Sequence, residues 1–197
     1  MKDRTEEGDS FDQILNDLFH PNPQINKKAS FLMRKYWRIE CMKILLVKLE
    51  EENVTLRRKS ILALGELGQC VLSPILEIYN KSSSYIVKTS CLKVVIKFIV
   101  NNNLKEIPTE VFSIVDLALN DESPEIILTV ISLLRQMGND GLDRLMMSCR
   151  DKNILRSQAS VSALTEINQP FVKEFLVELV NDKYFDSKIK EDLLNYF

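Results

Sequence analysis

The chain has 197 residues, enough for one large domain or two small ones at roughly 150 residues per domain. Hydrophobic residues make up 45% and charged residues 27% of it, which is the composition of a globular protein and excludes a disordered chain. A formal charge of −2 supplies no basic field for nucleic acid or an anionic membrane, so neither is an expected partner. Five glycines and six prolines are few for a sheet protein with many tight turns, which favours helices.

The N-terminal segment and the apolar runs give no sign of export or membrane insertion. Residues 1–10 contain four acidic residues and no apolar stretch, unlike a secretory signal. The most apolar run, Val94–Val100, is interrupted by Lys97 and is too short to span a bilayer. Residues 1–9 are expected to be frayed, and residues 10–197 to form a single domain.

The reactive residue types show no catalytic or metal-binding pattern. The chain has a single histidine, His20, and no Cys-x-x-Cys pair, so a zinc site is not expected. It contains no glycine-rich phosphate loop, no Gly-x-Ser-x-Gly elbow and no His-Glu-x-x-His motif, and its carboxylates show no catalytic spacing. Apolar stretches surround all four cysteines, which predicts buried, reduced thiols at Cys41, Cys70, Cys91 and Cys149.

A repeat of 30 or 31 residues, with one step of 40, runs through the chain. Each repeat opens at a capping residue and continues with apolar residues at helical spacing, as Leu56, Ser60, Ala63, Leu64 and Leu67 do. The long step is explained by an insertion near residues 101–110. The repeated segments start at Asn22, Asn53, Ser83, Ser123 and Asn153.

Shorter amphipathic runs alternate with the repeated segments, so each unit is a helix, a tight turn and a second helix. These runs are Phe11–Phe19, Arg38–Leu49, Val71–Tyr79, Glu110–Leu119, Leu142–Cys149 and Phe171–Val180. Asn53, Ser83 and Ser123 are predicted N-caps, and Gly68 and Gly138 predicted helix stops. The period predicts an all-α fold, a right-handed α-solenoid of about five to six HEAT-like helix pairs, with Asp186–Phe197 as a truncated capping helix.

The second helix of each pair is expected to line a groove. With Leu56, Ser60 and Leu64 buried, the positions of Arg58, Lys59 and Leu62 point away from the core. The corresponding residues make the groove cationic with apolar patches in its N-terminal half and neutral in its C-terminal half, which suits an apolar partner that carries carboxylates. They are Lys27, Lys28 and Phe31; Lys88, Thr89 and Leu92; Leu128, Thr129 and Ser132; and Gln158, Ala159 and Ser162. A merely solvated face is the alternative.

Other prominent residues have structural interpretations. Arg57 occupies a position from which HEAT-like repeats often reach an acid in the neighbouring repeat. Trp37, next to Tyr36, is expected to pack against the second unit rather than to form an exposed anchor. Met146 and Met147 are expected in the core rather than on an adaptable surface.

Several motifs resemble one family. LFHPNP at Leu18–Pro23, VTLRRKSILALGELG at Val54–Gly68, the insertion with LALNDESP after it, and MGND at Met137–Asp140 are similar to the HEAT-repeat bilin lyase proteins of the E/F clan. The resemblance covers roughly residues 11–180, and the order of motifs is most like the Z-type phycoerythrin members, partners of a larger Y-type lyase. Repeats three and four depart from the pattern, with Val87 and Ile127 in place of the arginine.

The resemblance implies a place in phycobiliprotein maturation, in the cytoplasm of a cyanobacterium or in a plastid stroma. The implied partners are a phycoerythrin subunit and a Y-type bilin lyase, and the implied ligand is a transient phycobilin such as phycoerythrobilin, with no tightly bound cofactor. Cations of the groove are then candidates to hold the bilin propionates or a partner: Lys27, Lys28, Arg58, Lys59 and Lys88.

The resemblance leaves the activity open. The nucleophile in bilin attachment is a cysteine of the acceptor protein, so a helper needs only to hold chromophore and acceptor together. The first hypothesis is an accessory, chaperone-like protein in bilin attachment to phycoerythrin. The alternatives are a bilin lyase or lyase-isomerase subunit, and a general HEAT scaffold for an unrelated partner.

Overall fold

The computed structural model describes residues 8–102 and 104–196, and within these ranges every regular element is helical. The helices alternate between A helices, which open each pair, and B helices, which close it. The A helices are α1 (Phe11–Asp17), α3 (Arg38–Val47), α5 (Leu72–Lys81), α7 (Thr109–Leu119), α9 (Asn139–Ser148) and α11 (Pro170–Asn181). The B helices are α2 (Pro23–Tyr36), α4 (Val54–Glu66), α6 (Tyr85–Asn101), α8 (Pro124–Gln136), α10 (Ile154–Thr165) and the shorter α12 (Ser187–Leu194).

The helices form two compact units, Met1–Ile114 and Val115–Phe197. In the first unit α2 packs against α3 and α4, and α4 packs against α6. In the second unit α8 packs against α9 and α10, and α10 packs against α11. Each of these B helices therefore contacts both an A helix and the next B helix, and the predicted all-α fold of HEAT-like helix pairs is confirmed. A single domain over residues 10–197 stays a prediction, and most of the predicted frayed segment lies outside the described residues.

Side-chain caps begin most of the B helices where the repeat predicts them. The Asn53 carboxamide oxygen accepts the backbone N–H groups of Thr55 and Leu56 at 3.0 and 3.2 Å. The prediction of Ser83 as an N-cap is wrong, because Ser84 holds that place and accepts the N–H of Val87. Three consecutive serines made either register compatible with the local sequence, and burial of Val87 selects the later one.

Two glycines end B helices as predicted. Gly68 follows α4 with φ of 88°, and Gly138 follows α8 with φ of 61°. A side chain with a Cβ is strained in this left-handed region, so glycine is the residue that allows the chain to turn sharply into the next A helix. After Gly68 the turn continues as a short 3₁₀ helix, Gln69–Val71.

A continuous apolar stripe along the B helices forms the core. In α4 the predicted residues Ser60, Ala63, Leu64 and Leu67 are buried, and the Ser60 hydroxyl donates to the carbonyl of Leu56 at 2.9 Å. A small residue at this position lets neighbouring helices approach closely while its hydroxyl remains hydrogen-bonded. Trp37 is fully buried, which confirms that it packs inside the protein rather than forming an exposed anchor. Its ring lies 5.7 Å from that of Phe11 on α1 in an edge-to-face arrangement, and packing of Trp37 against the second helix pair stays a prediction.

Gly65 lies where α4 closely approaches α6. A Cβ placed on Gly65 would lie 2.4 Å from Lys97 Cβ and 3.0 Å from the Lys97 carbonyl carbon. The obstacle includes backbone, so a side chain at this position requires the two helices to separate.

Gly65→Ala should therefore destabilise the protein by about 1–3 kcal/mol, although glycine to alanine in an uncrowded helix stabilises by roughly 0.5–1 kcal/mol. Urea unfolding followed by circular dichroism measures the change. Leu62→Ala, on the exposed side of the same helix, is the control and should alter the free energy of unfolding much less. An unchanged or raised stability in Gly65→Ala would show that α4 and α6 are not in close contact.

Candidate functional site

The exposed side of the B helices is the surface on which the sequence predicts a groove. Measured from each N-cap, the fifth, sixth and ninth residues of α2, α4, α8 and α10 are exposed or half-buried, as predicted. Mainly apolar or small residues stand at three, seven and eleven residues after each cap, and these positions face the neighbouring helices. The helical periodicity therefore separates a packing side from an open side.

The prediction for α6 is wrong at two of its three groove residues. Leu92 is 0% exposed, because Ser84 rather than Ser83 begins the helix and places Leu92 eight rather than nine residues after the cap. Thr89 lies five residues after Ser84 and is nevertheless only 7% exposed, with its hydroxyl donating to the carbonyl of Tyr85 at 2.7 Å. The residue that occupies the open position is Lys93, which is exposed. Lys88 is half-buried, with its ammonium 5.3 Å from the centre of the Tyr79 ring.

We call the open side of α2 and α4, in the first unit, the α2–α4 face. Its apolar members are Phe31, which is 58% exposed, and Leu62, which is 46% exposed. Around them stand three cations and a carboxylate: Lys27, Arg34, Arg58 and Glu66. The surplus of positive charge beside exposed apolar side chains agrees with the pattern expected from the sequence.

Glu66 lies between the two helices of this face. Its carboxylate is hydrogen-bonded by the Ser30 side chain and is close to the charges of Arg34 and Lys27. Burial raises the pKa of Glu66 above its usual value, since desolvation of the half-buried carboxylate outweighs the Ser30 hydrogen bond and the two cations. The sequence analysis did not single out Glu66 or Arg34.

In the second unit the open side forms a cleft of about 270 Å³ between α8 and α10, which we call the α8–α10 cleft. The predicted groove residues Leu128, Ser132, Ala159 and Ser162 line it. An ion pair between Arg135 and Glu166 bounds it. The paired charges leave this cleft neutral, as the sequence predicts for the C-terminal half.

A second cleft, of about 340 Å³, lies between α10 and α12 and shares Ser162 with the first. The Tyr196 hydroxyl donates to the carbonyl of Thr165 at 2.5 Å, and Gln158 donates to Asp192 at 3.3 Å. These bonds fix the short helix α12 against α10. The open side of the second unit thus continues over three helices.

Lys59 has a structural task. Its ammonium donates to the carbonyls of Phe19 and His20 at 2.6 and 2.8 Å, so it joins α4 to the turn between α1 and α2. Asn26 faces the same turn, with Nδ2 2.7–3.0 Å from the carbonyls of Asp17, Leu18 and His20. The LFHPNP motif is this turn, in which Nδ1 of His20 accepts the N–H of Asn22 at 3.0 Å.

The five candidate cations are therefore not gathered at one place. Lys27 and Arg58 stand on the α2–α4 face, whereas Lys28 lines a separate cleft of about 430 Å³ with α1 residues such as Gln13 and Ile14. Lys59 is bound to the turn and Lys88 to the Tyr79 ring. A binding role for the set stays a prediction, and its geometry favours Lys27 and Arg58.

The arginines near the helix starts hold turns. Arg57 donates to the carbonyl of Glu51 at 2.5 Å, in the turn before its own helix, which gives it a structural role within its own repeat, whereas a contact with an acid in the neighbouring repeat stays a prediction. Arg156, which the sequence analysis missed, makes the bond between repeats: it donates to Asp151 at 2.8 Å and to the Asp121 carbonyl at 2.7 Å. Arg156 is only 7% exposed, and a buried guanidinium is costly unless it is paired.

The remaining observations concern metal ligands, helix length and the sulfur-containing residues. Among the described residues, no group of three or more His, Cys, Asp and Glu side chains could hold a metal ion. Within the same ranges no helix combines the length and the apolar character needed to cross a membrane. The prediction of four buried thiols is wrong for Cys70, which lies exposed in the turn after Gly68, and Met147 is exposed rather than in the core.

Comparison with known proteins gives two relatives in phycobiliprotein operons and pathways. The chain is 28% identical over 160 residues to the bilin biosynthesis protein CpeZ of Synechococcus sp. (strain WH8020), covering 78% of this chain and 86% of that protein. It is 21% identical over 183 residues to the uncharacterized phycocyanin operon protein Z of Pseudanabaena tenuis (strain PCC 7409), covering 92% and 91%. The resemblance expected from the sequence is confirmed. No family model matches the chain.

Among solved structures, the complex of CpcE and CpcF of phycocyanin lyase from Nostoc sp. PCC7120 aligns with a TM-score of 0.43 at 15% identity, over 100% of this chain and 79% of that one. A designed armadillo repeat protein, crystallised with the peptide (KR)4, aligns with a TM-score of 0.46 at 14% identity, over 93% and 96%.

Lys59→Met should destabilise the protein by about 1–2 kcal/mol, because it leaves the carbonyls of Phe19 and His20 without their charged donor. Arg58→Met removes the same charge from the adjacent exposed position and should change the free energy of unfolding by less than about 0.5 kcal/mol. Urea unfolding of both variants gives the comparison. Equal stabilities would contradict the structural role of Lys59.

The four thiols should differ in reactivity. Burial raises the pKa of Cys41, Cys91 and Cys149 to about 12, so these thiols stay protonated and unreactive in the folded protein. A thiol reagent at pH 8 should label Cys70 rapidly and the others only as the protein unfolds. The thiols of the unfolded chain ionise at about pH 8.5, so ionisation favours the unfolded state above that pH. The free energy of unfolding should therefore also fall as the pH rises from about 8.5 towards 12. Rapid labelling of a buried thiol in the folded protein would contradict this packing.

Proposed function

We propose that this protein is an accessory, chaperone-like factor that assists the covalent attachment of a bilin to phycoerythrin subunits, together with a larger lyase of the Y type. The observation that carries the proposal is the similarity to the bilin biosynthesis protein CpeZ over 86% of that protein's length. The α2–α4 face supports it, because exposed apolar side chains beside a surplus of cations suit a partner that is apolar and acidic.

The chemistry of attachment fits a helper without its own nucleophile. A thioether forms when the sulfur of an acceptor cysteine bonds to a carbon of the bilin double bond and a proton is delivered to the neighbouring carbon. The sulfur comes from the acceptor, and the three buried thiols of the helper are held protonated. What the helper can contribute is position, by keeping the acceptor subunit folded and open to the lyase.

The charges of the α2–α4 face are suited to brief contacts. Lys27 and Arg58 are exposed on α2 and α4, where each keeps much of its hydration, so an ion pair formed there is weak and salt-sensitive. A phycobilin such as phycoerythrobilin, with its apolar body and two propionates, would meet such a face transiently. A phycoerythrin subunit would meet it over a larger area, in which Phe31 and Leu62 provide the apolar contact.

Co-expression tests the proposal. The protein is produced with a phycoerythrin subunit and the enzymes that make phycoerythrobilin, with and without a Y-type lyase, and covalent bilin per subunit is measured by absorbance after denaturation. The proposal predicts that this protein raises the yield when the lyase is present and improves the solubility of the subunit. Adduct formation without the lyase would instead identify a lyase subunit. No effect on yield or solubility would identify a scaffold for another partner.

The α2–α4 face can be tested in the same assay. Replacing Lys27, Arg34 and Arg58 together by serine should remove most of the gain in yield, since it removes the cations of the face while the core stays intact. The matched control replaces three exposed lysines on other helices, Lys43, Lys173 and Lys188, and should keep the gain. Helical content by circular dichroism should be equal in both variants. Full gain with the face variant would show that this surface is not the binding face.

A further inference from the structure

An arginine and a glutamate occupy corresponding repeat positions in both units. In the second unit Arg135, twelve residues after the cap of α8, forms an ion pair with Glu166, thirteen residues after the cap of α10. In the first unit Arg34 is twelve residues after the cap of α2, and Glu66 is thirteen residues after the cap of α4. There Arg34 is a neighbouring charge of Glu66, whose carboxylate is hydrogen-bonded by Ser30. The recurrence of the two residue types indicates a feature of the repeat rather than an isolated surface contact.

The two arginines are exposed on the open side of the B helices rather than buried in the packed core. Arg135 and Glu166 border the α8–α10 cleft, and their side chains keep 45% and 51% of their exposure. Arg34 is exposed beside the half-buried Glu66. A pair in such surroundings adds little to stability, typically about 0–1 kcal/mol, so it can be exchanged for another pair at small cost.

The chemistry of the pairs favours a carboxylate from outside. Guanidinium groups bind carboxylates through two parallel hydrogen bonds, and an internal glutamate occupies the same donors. The α8–α10 cleft, at about 270 Å³, is shallow and open, below the roughly 300–1,000 Å³ of sites that enclose a small molecule. Its size suits single side chains of a protein partner, set between Leu128 and Ser162.

We propose that Arg34 and Arg135 are the residues that receive aspartate or glutamate side chains of a protein partner, and that Glu166, paired with Arg135, and Glu66, close to Arg34, compete with the partner's carboxylates for them. The identity of the partner, an apo-phycoerythrin subunit, rests on the proposed function. The internal glutamates then set specificity, because a partner without correctly placed carboxylates cannot replace them.

The test measures binding of a purified apo-phycoerythrin subunit by isothermal titration calorimetry. Glu66→Gln and Glu166→Gln keep the shape of the side chain and remove the competing charge, so each should tighten binding by roughly twofold to fivefold. The control is Glu77→Gln on α5, which breaks the exposed ion pair with Lys81 and changes the net charge equally. It should leave the affinity unchanged. Adding Arg135→Gln to Glu166→Gln should abolish the gain.

Each outcome decides the proposal. Tighter binding in both glutamine variants, lost in the double variant, supports it. Equal or weaker binding, or the same gain in Glu77→Gln, overturns it and assigns the pairs a structural role or none. Tighter binding of biliverdin by the glutamine variants, without tighter binding of the apo-subunit, overturns the proposal in favour of a small-molecule carboxylate. Absence of binding between the apo-subunit and every variant also overturns it. The co-expression yield is measured independently, so the proposed function can stand when this inference falls and can fall when it stands.

Discussion

Close packing against neighbouring helices is what holds each B helix in place, because a short helix is not stable on its own. A pair of short helices cannot bury its apolar stripe alone, so the stripe of α4 is covered by α3 on one side and by α6 on the other. Small residues at the contacts, Ser60 and Gly65 above all, let the backbones approach. In this arrangement one side of the helix packs against its neighbours and the other side stays exposed.

The polar groups follow the same division. On the packing side and in the turns, polar side chains form hydrogen bonds within the protein: Lys59 and Asn26 hold the first turn, and Arg156 joins the turns that precede α8 and α10. On the open side, charges remain accessible around Phe31, Leu62 and the α8–α10 cleft. Lys59 thus holds a turn, whereas the residue next to it in sequence, Arg58, faces solvent.

The periodicity of apolar residues was sufficient to predict the helices, because burial of a stripe is a property of the local sequence and its 3.6-residue repeat. It located all the B helices and the exposed positions on four of them. It failed at α6, where three serines left the register ambiguous, and it did not show the bonds that Lys59 and Arg57 make to backbone carbonyls, which depend on where the turns lie in space. Glu66 and Arg34 carry no motif; their recurrence as Glu166 and Arg135 becomes visible only when the caps are known.

Hydrogen–deuterium exchange with a phycoerythrin apo-subunit tests whether the open side of the B helices is a binding surface. Exchange is compared for peptides from α2, α4, α8 and α10 and for peptides from the A helices α3, α5, α9 and α11, with and without the subunit. If the open side binds the subunit, exchange should slow in the peptides from α2, α4, α8 and α10 and change little in the peptides from the A helices. Protection confined to the A helices, or spread equally over both groups, would contradict it.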